Sequence, residues 1–221
     1  AEEYETAIAT FRTLNGYRDS DAQISSCEEL IVLNNAYDEA QELLDSGNKG
    51  AAAIAFYNLA GHKDALERSM GLWAELNTKS SICAGSGHIA AVRSDGTAVA
   101  VGRNHAGQCD VSGWTDIVDI DTGYNHTVGL RSDGTVLATR WGPQGQCDVS
   151  DWTDIVSISA AAYQTIGLRS DGTVVAAGRY ASGQCDVDEW ENIVAVSAGT
   201  YHTVGLRPDG TVVAVGENGD G

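Results

Sequence analysis

Residues 126–136 read HTVGLRSDGTV, and the same pattern returns at a fixed step of 38 residues. The other copies are HIAAVRSDGTA at 88–98, QTIGLRSDGTV at 164–174 and HTVGLRPDGTV at 202–212. Each copy sets two runs rich in apolar and β-branched residues on either side of Asp-Gly, a hairpin signal. The last copy fixes the turn more closely. A two-residue loop would require position 208 to donate a ladder hydrogen bond, and Pro208 has no N–H. The pattern predicts a three-residue loop, a type I turn with proline at its first corner and a left-handed Gly210.

Other features keep the same step. GQCDV recurs at 107–111, 145–149 and 183–187, and Trp114, Trp152 and Trp190 follow it. In the second copy four short runs can be marked off: IVDID (117–121), HTVGLR (126–131), TVLAT (135–139) and QCDV (146–149). We call them A to D. Four short strands per repeat, in tandem, predict a β-propeller.

The run 198–221, with its G-x-x-H-T-V-G-L and D-G-T-V, and the G-x-x-x-x-G-Q-C of the earlier copies resemble the regulator-of-chromosome-condensation repeats. The likeness is to the bacterial branch that includes the β-lactamase inhibitory protein II, and it spans about 77–221. It implies a propeller of about seven blades. This chain holds three full repeats and a fourth that stops where QCDV would follow. Either the natural protein continues past Gly221, or a second copy completes the ring by self-association.

Residues 1–76 have another period. Ala7–Phe11 leading to Leu14 and Asp19 is echoed 45 residues later by Ala52–Phe56 leading to Leu59 and Asp64. Tyr37, Ala40, Leu43 and Leu44 lie at helical spacing before Gly47, a C′ glycine. The echo resembles tetratricopeptide-like helical repeats of bacterial type, with about four helices and with Asp19 and Asp64 as N-caps. The polar stretch 77–81 marks the join. The predicted chain is α+β and two-domain: helical repeats over 1–76, then all-β propeller blades over 77–221.

Comparing the copies with one another tests each chemical candidate. His88, His126 and His202 head strand B, but the remaining copy has Gln164 there. Glutamine can hydrogen-bond but cannot titrate near neutrality, so the position reads as a buried polar link between strands or blades. Cys109, Cys147 and Cys185 recur once per repeat without C-x₂₋₄-C spacing, and read as small apolar groups on an outer strand. The tryptophans read as packing between blades. No metal ligand set, cofactor motif or conventional catalytic constellation is found.

The net charge is −18, shared equally between the two halves, and lysine disappears after Lys79. That balance disfavours nucleic acid and anionic membranes, which call for clustered Lys and Arg. No apolar run approaches the ~18 residues of a membrane helix. Lone cysteines suit a reducing cytoplasm or an anaerobe's exterior, so the compartment stays open.

The copies disagree in two places, between strands A and B and between C and D. In an up-and-down blade both connections emerge on one face, while the constant Asp-Gly turns lie opposite. The variable loops carry Arg103, His105, Tyr124, Arg140, Trp141, Tyr163, Arg179, Tyr180 and Tyr201. Tyr, Trp and Arg dominate interface energetics. The sequence therefore predicts a non-enzymatic module that binds an unidentified protein or peptide through this face. An inhibitor of an extracellular enzyme is a narrower version, by resemblance. A carbohydrate-active propeller using Asp121, Glu217 and Asp220 is the reading of another class.

Overall fold

The computed structural model describes residues 2–13, 20–76, 82–139, 142–178 and 181–218. They form two compact units, Ala1–Leu72 and Trp73–Gly221.

The first unit is helical. Helices α1 (Glu2–Thr13), α2 (Ser20–Asp45) and α3 (Lys49–Tyr57) pack in succession, and α4 (Ala65–Leu76) begins after a turn. Ile8, Ala40, Ala52, Ala53, Phe56 and Leu72 supply the buried apolar side chains. Helix α2 ends on Gly47 at φ +86. There the Gly47 N–H bonds the Leu44 carbonyl at 2.9 Å and the Asn48 N–H the Leu43 carbonyl at 3.0 Å. These are the two bonds of a Schellman cap. The Asp64 carbonyl accepts the first backbone bond of α4, from Arg68 N–H at 3.0 Å. Its carboxylate, expected to cap backbone N–H groups, is otherwise engaged. Oδ1 accepts from the Tyr37 hydroxyl and Oδ2 from Arg68 Nε at 3.0 Å, and these bonds hold its pKa below the usual range. Asp19 lies outside the described residues.

The second unit is four antiparallel sheets of three strands each. In chain order they are β1 (Ile82–Ala84), β2 (His88–Val92), β3 (Ala98–Gly102); β4 (Ile117–Thr122), β5 (Thr127–Arg131), β6 (Val136–Ala138); β7 (Ile155–Ala160), β8 (Gln164–Arg169), β9 (Val174–Gly178); and β10 (Ala195–Ala198), β11 (His202–Leu206), β12 (Val212–Gly216). Each sheet has its strands in sequence order, as up-and-down connection requires.

The hairpin turns are as the proline dictates. Gly210 N–H bonds the Arg207 carbonyl at 3.0 Å, Arg207 N–H bonds the Thr211 carbonyl at 2.8 Å, and Gly210 has φ +83. The other three turns repeat this geometry. In all four, the aspartate Oδ1 accepts both the N–H and the hydroxyl of the threonine two residues on.

The expected fourth strand, QCDV, is absent from the sheets: each described copy is a tight turn. Gly107, Gly145 and Gly183 take φ +72 to +82, and the N–H of Asp110, Asp148 and Asp186 returns to their carbonyls. The glutamines Gln108, Gln146 and Gln184 are buried. Each turns its Oε1 back onto the N–H two residues earlier. A backbone so engaged has nothing left to offer a strand ladder. The cysteines therefore sit in a turn rather than on an outer strand. All five cysteines of the chain are thiols. Burial pushes Cys83 and Cys185 up to about 11 and Cys147 to about 12, so these remain protonated at neutral pH.

Candidate functional site

Neighbouring sheets are joined by a repeated relay. The Thr127 hydroxyl donates to the Gln108 carbonyl at 2.7 Å, which uses its one proton. Nε2 of His88, 2.9 Å from the same oxygen, is therefore the N–H donor. The next junction repeats it: His126 Nε2 lies 3.1 Å from Thr165 Oγ1, which donates to the Gln146 carbonyl at 2.7 Å. At the third junction Thr203 donates to the Gln184 carbonyl at 2.6 Å, while Gln164 Nε2 reaches the Gly199 carbonyl at 2.9 Å. The histidine position is thus an inter-blade link in every described junction. Burial lowers the pKa of His88 and takes that of His126 down to about 4.

The tryptophans complete the junctions. Cε3 and Cζ3 of Trp114, Trp152 and Trp190 lie 2.8–2.9 Å from where a Cβ would stand on Gly129, Gly167 and Gly205. Trp152 also packs with Val128, Leu130 and Val136 of the preceding sheet. An indole can lie flat here only because the middle strand has no side chain beneath it.

With these residues committed to structure, the variable loops remain. Antiparallel pairing brings the A–B connection and the exit from strand C to one end of each sheet. Arg103 N–H bonds the Gly87 carbonyl at 2.7 Å, and Glu217 N–H bonds the Tyr201 carbonyl at 3.0 Å. The A–B connections of all four sheets surround one depression of about 300 Å³. Its floor is small residues: Ala84, Gly85, Gly123, Ala161, Ala198 and Gly199. Tyr124 stands on its rim, 45% exposed, with the Tyr163 ring 6.5 Å away. Tyr201 is 40% exposed at the fourth sheet. Arg103 and His105 are exposed on the neighbouring connection. Arg140, Trp141, Arg179 and Tyr180 lie outside the described residues, as does Asp220.

Asp121, the first carboxylate of the carbohydrate-active reading, has a structural task. Oδ1 accepts the Thr122 N–H and Oδ2 the Ala160 N–H of the next sheet, both at 2.8 Å. Burial raises its pKa against the pull of those two bonds. Ser159 does the same at the following junction, accepting the Ala198 N–H at 3.0 Å. Sequence reading missed this inter-blade clasp, because aspartate and serine at equivalent places look like variation. Among the described residues no group of three His, Cys, Asp or Glu side chains is arranged to hold a metal ion. No described helix is long and apolar enough to cross a membrane.

Residues 80–108, 117–139 and 193–221 match the regulator of chromosome condensation (RCC1) repeat. Three of the solved structures to which this chain is similar are as follows. Yeast RCC1 (Prp20), in its crystal with Kap60, aligns at TM-score 0.52 and 18% identity over 61% of this chain and 43% of its own. Prp20p from Saccharomyces cerevisiae, described with its binding properties to Gsp1p and histones, aligns at 0.51 and 18% over 61% and 44%. Human WBSCR16 aligns at 0.52 and 15% over 61% and 46%. This chain spans less than half the length of each. Comparison with curated protein sequences returns no match. At these identities the likeness is one of fold: the four sheets are RCC1-like propeller blades.

Proposed function

We propose that this run of RCC1-like blades is a non-enzymatic protein-interaction module, of bacterial type, that meets its partner on the face formed by the variable loops. One observation carries the reading. The A–B connections, one of the two sets of loops that differ between copies, line one depression, whereas the first three Asp-Gly turns at the other end are spent in inter-blade hydrogen bonds. Ile117, Ile155 and Ile193 N–H each bond the carbonyl of the preceding Asp-Gly turn, at 2.9–3.0 Å. A lining of small residues bordered by Tyr124 suits the insertion of a side chain or loop from a protein partner. The similar yeast structures are described with protein partners, Kap60, Gsp1p and histones, which agrees with the class without naming the partner here. The helical segment 1–76 is read as tetratricopeptide-like, on its 45-residue echo, and as a second peptide-binding element.

Site-specific photo-crosslinking tests the proposal. A crosslinker at Tyr124 or Tyr201 is expected to capture a defined protein, and one at Asp95 on the opposite end is not. In the same complex Y124A with Y201A is expected to weaken affinity by at least about tenfold. Capture from Asp95 alone, or an unchanged affinity, would place the interface elsewhere.

A further inference from the structure

The residues that head strand B bond with one polar atom and leave the other unpaired. Nε2 of His88 and of His126 is the N–H donor to a threonine, so Nδ1 of each neutral ring is a bare lone pair. Gln164 gives its Nε2 hydrogens to the Gly199 and His202 carbonyls at 2.9 and 3.2 Å, which leaves Oε1 over. Nδ1 of His88, Nδ1 of His126 and Oε1 of Gln164 are buried and have no hydrogen-bond partner among the described residues. The three side chains are at most 3% exposed. All three orphans are acceptors, and a buried acceptor without a donor is destabilising.

These orphans lie against the depression of the variable-loop face. Gly85 and Gly123 are two of its lining residues. Where a Cβ would stand on them, Nδ1 of His88 is 3.1 Å away and Nδ1 of His126 2.6 Å. A backbone carbonyl of the next sheet shares each spot, Gly123 O at Gly85 and Ala161 O at Gly123. Gly199, whose carbonyl holds Gln164, is a lining residue too.

The rest of the lining has the same bias. Ser86, Thr122 and Thr200 add hydroxyls, which present lone pairs to any donor. The Asp121 carboxylate sits directly behind, bonded to the Thr122 N–H at 2.8 Å. None of the described lining residues is charged. Arg103 packs beside it on Gly87, with Nε 3.5 Å from a Cβ built there. Tyr124 supplies an exposed ring for a cation–π contact, and the net charge of −18 attracts cations.

We propose that the depression takes a cationic side chain, a lysine or arginine presented by the protein partner, whose N–H groups meet the unpaired acceptors. This rests on the reading of the face as an interface and adds the chemistry of what enters it. Lysine and arginine carry donors only. A carboxylate would set acceptors against acceptors, and an aliphatic side chain would leave them unpaired.

The probes are acetylated, amidated pentapeptides GGXGG, with X lysine, arginine, norleucine or glutamate, titrated into the full chain and followed by NMR. The lysine and arginine peptides are expected to shift the amides of Gly85, Gly123 and Gly199 and the Nδ1 resonances of His88 and His126. Their Kd should be on the order of 1–10 mM, and the norleucine and glutamate peptides should bind about tenfold more weakly or worse. Two variants at Ala162 fix the sign. Ala162 lines the depression where the other repeats carry Ser86, Tyr124 and Thr200, so larger side chains fit there. A162E is expected to tighten the lysine peptide about threefold and A162K to weaken it about as much, whereas bulk alone would weaken both. Equal shifts from norleucine and lysine, no shift up to about 20 mM lysine peptide, or A162E and A162K weakening it alike each overturns the proposal. A partner captured at Tyr124 whose affinity A162K leaves unchanged would keep the interface and overturn the cation. A lysine-selective depression without capture would support the cation chemistry and overturn the interface alone.

Discussion

His126 shows how a side chain usually associated with chemistry is used up by architecture. Its Nε2 donates to Thr165 and its ring is buried, which takes its pKa down to about 4. An exposed histidine titrates near 6.5, so the unfolded chain takes up the proton first. The stability carried by the neutral ring is therefore complete above about pH 6.5 and is lost as the pH falls toward 4. For this one residue the loss is about 3 kcal/mol. His88 is shifted in the same direction and adds to it; Asp121, raised by burial, works with the opposite sign. The third repeat shows that glutamine can hold this position, since Gln164 spans the same junction. H126Q is therefore expected to fold and to flatten the decline in urea stability between pH 7 and pH 4.5. Tryptophan emission is a suitable probe, because all five tryptophans lie between 73 and 190. An equally steep decline in H126Q would move the acid sensitivity to other groups.

At the scale of the element, the Asp-Gly turn is both a hairpin and a clasp. Gly134 and Gly210 share the left-handed conformation, φ +81 and +83, so alanine at either incurs about 1 kcal/mol of backbone strain. Only Gly134 abuts a neighbour, with Asp154 and Ile155 backbone atoms 3.3 Å from the added methyl. G134A is expected to cost about 1 kcal/mol or more beyond G210A, through displacement of the next blade. Denaturant titration of both variants measures the difference, and equal losses would mean that the turn serves its own hairpin alone. This turn was legible in the sequence because proline fixes its own φ and removes a donor, and glycine takes the left-handed conformation that other residues resist. The histidine link and the tryptophan packing were legible because copies could be compared. The QCDV turn was not: its alternation imitates a half-buried strand, and what overrides it is the buried amide of Gln108, Gln146 or Gln184. The glycine before each glutamine was the available signal. Asp64 misled in the same way, since a carboxylate before a helix predicts a cap until a tyrosine from another helix competes for it. That the exit from strand C and the A–B connection share one end of each sheet was legible because strand direction alone determines which ends meet, and Arg103 and His105 follow strand C there.

Across the whole blade array, each sheet packs chiefly against its sequence neighbours: first with second, second with third, third with fourth. Stability in such an array is a sum of blade terms and junction terms, and an end blade has one junction where an inner blade has two. The fourth blade is the weaker end in apolar packing. Burying a Val or Leu side chain fully contributes about 1.5–3 kcal/mol, and Val204, Leu206 and Val212 are left a third to two-thirds uncovered. The deficit amounts to roughly 3 kcal/mol, enough for the fourth blade to open without the rest unfolding. Native-state hydrogen exchange is therefore expected to rank the blades. Amides of β5 and β8, which lie in sheets flanked on both sides, should exchange slowest, at the rate of global unfolding. Those of β11 and β12 should exchange about 100-fold faster, through a local opening. The variant G205A, which drives a methyl into Trp190 at 2.8–2.9 Å, should speed β11 and β12 further while leaving β5 nearly unchanged. G167A, the same clash at an inner junction, should speed β8 together with its neighbours β5 and β11. Uniform protection from β5 to β12 in the unaltered chain would show instead that the four blades open as one unit, and that the exposed flank costs the fourth blade nothing.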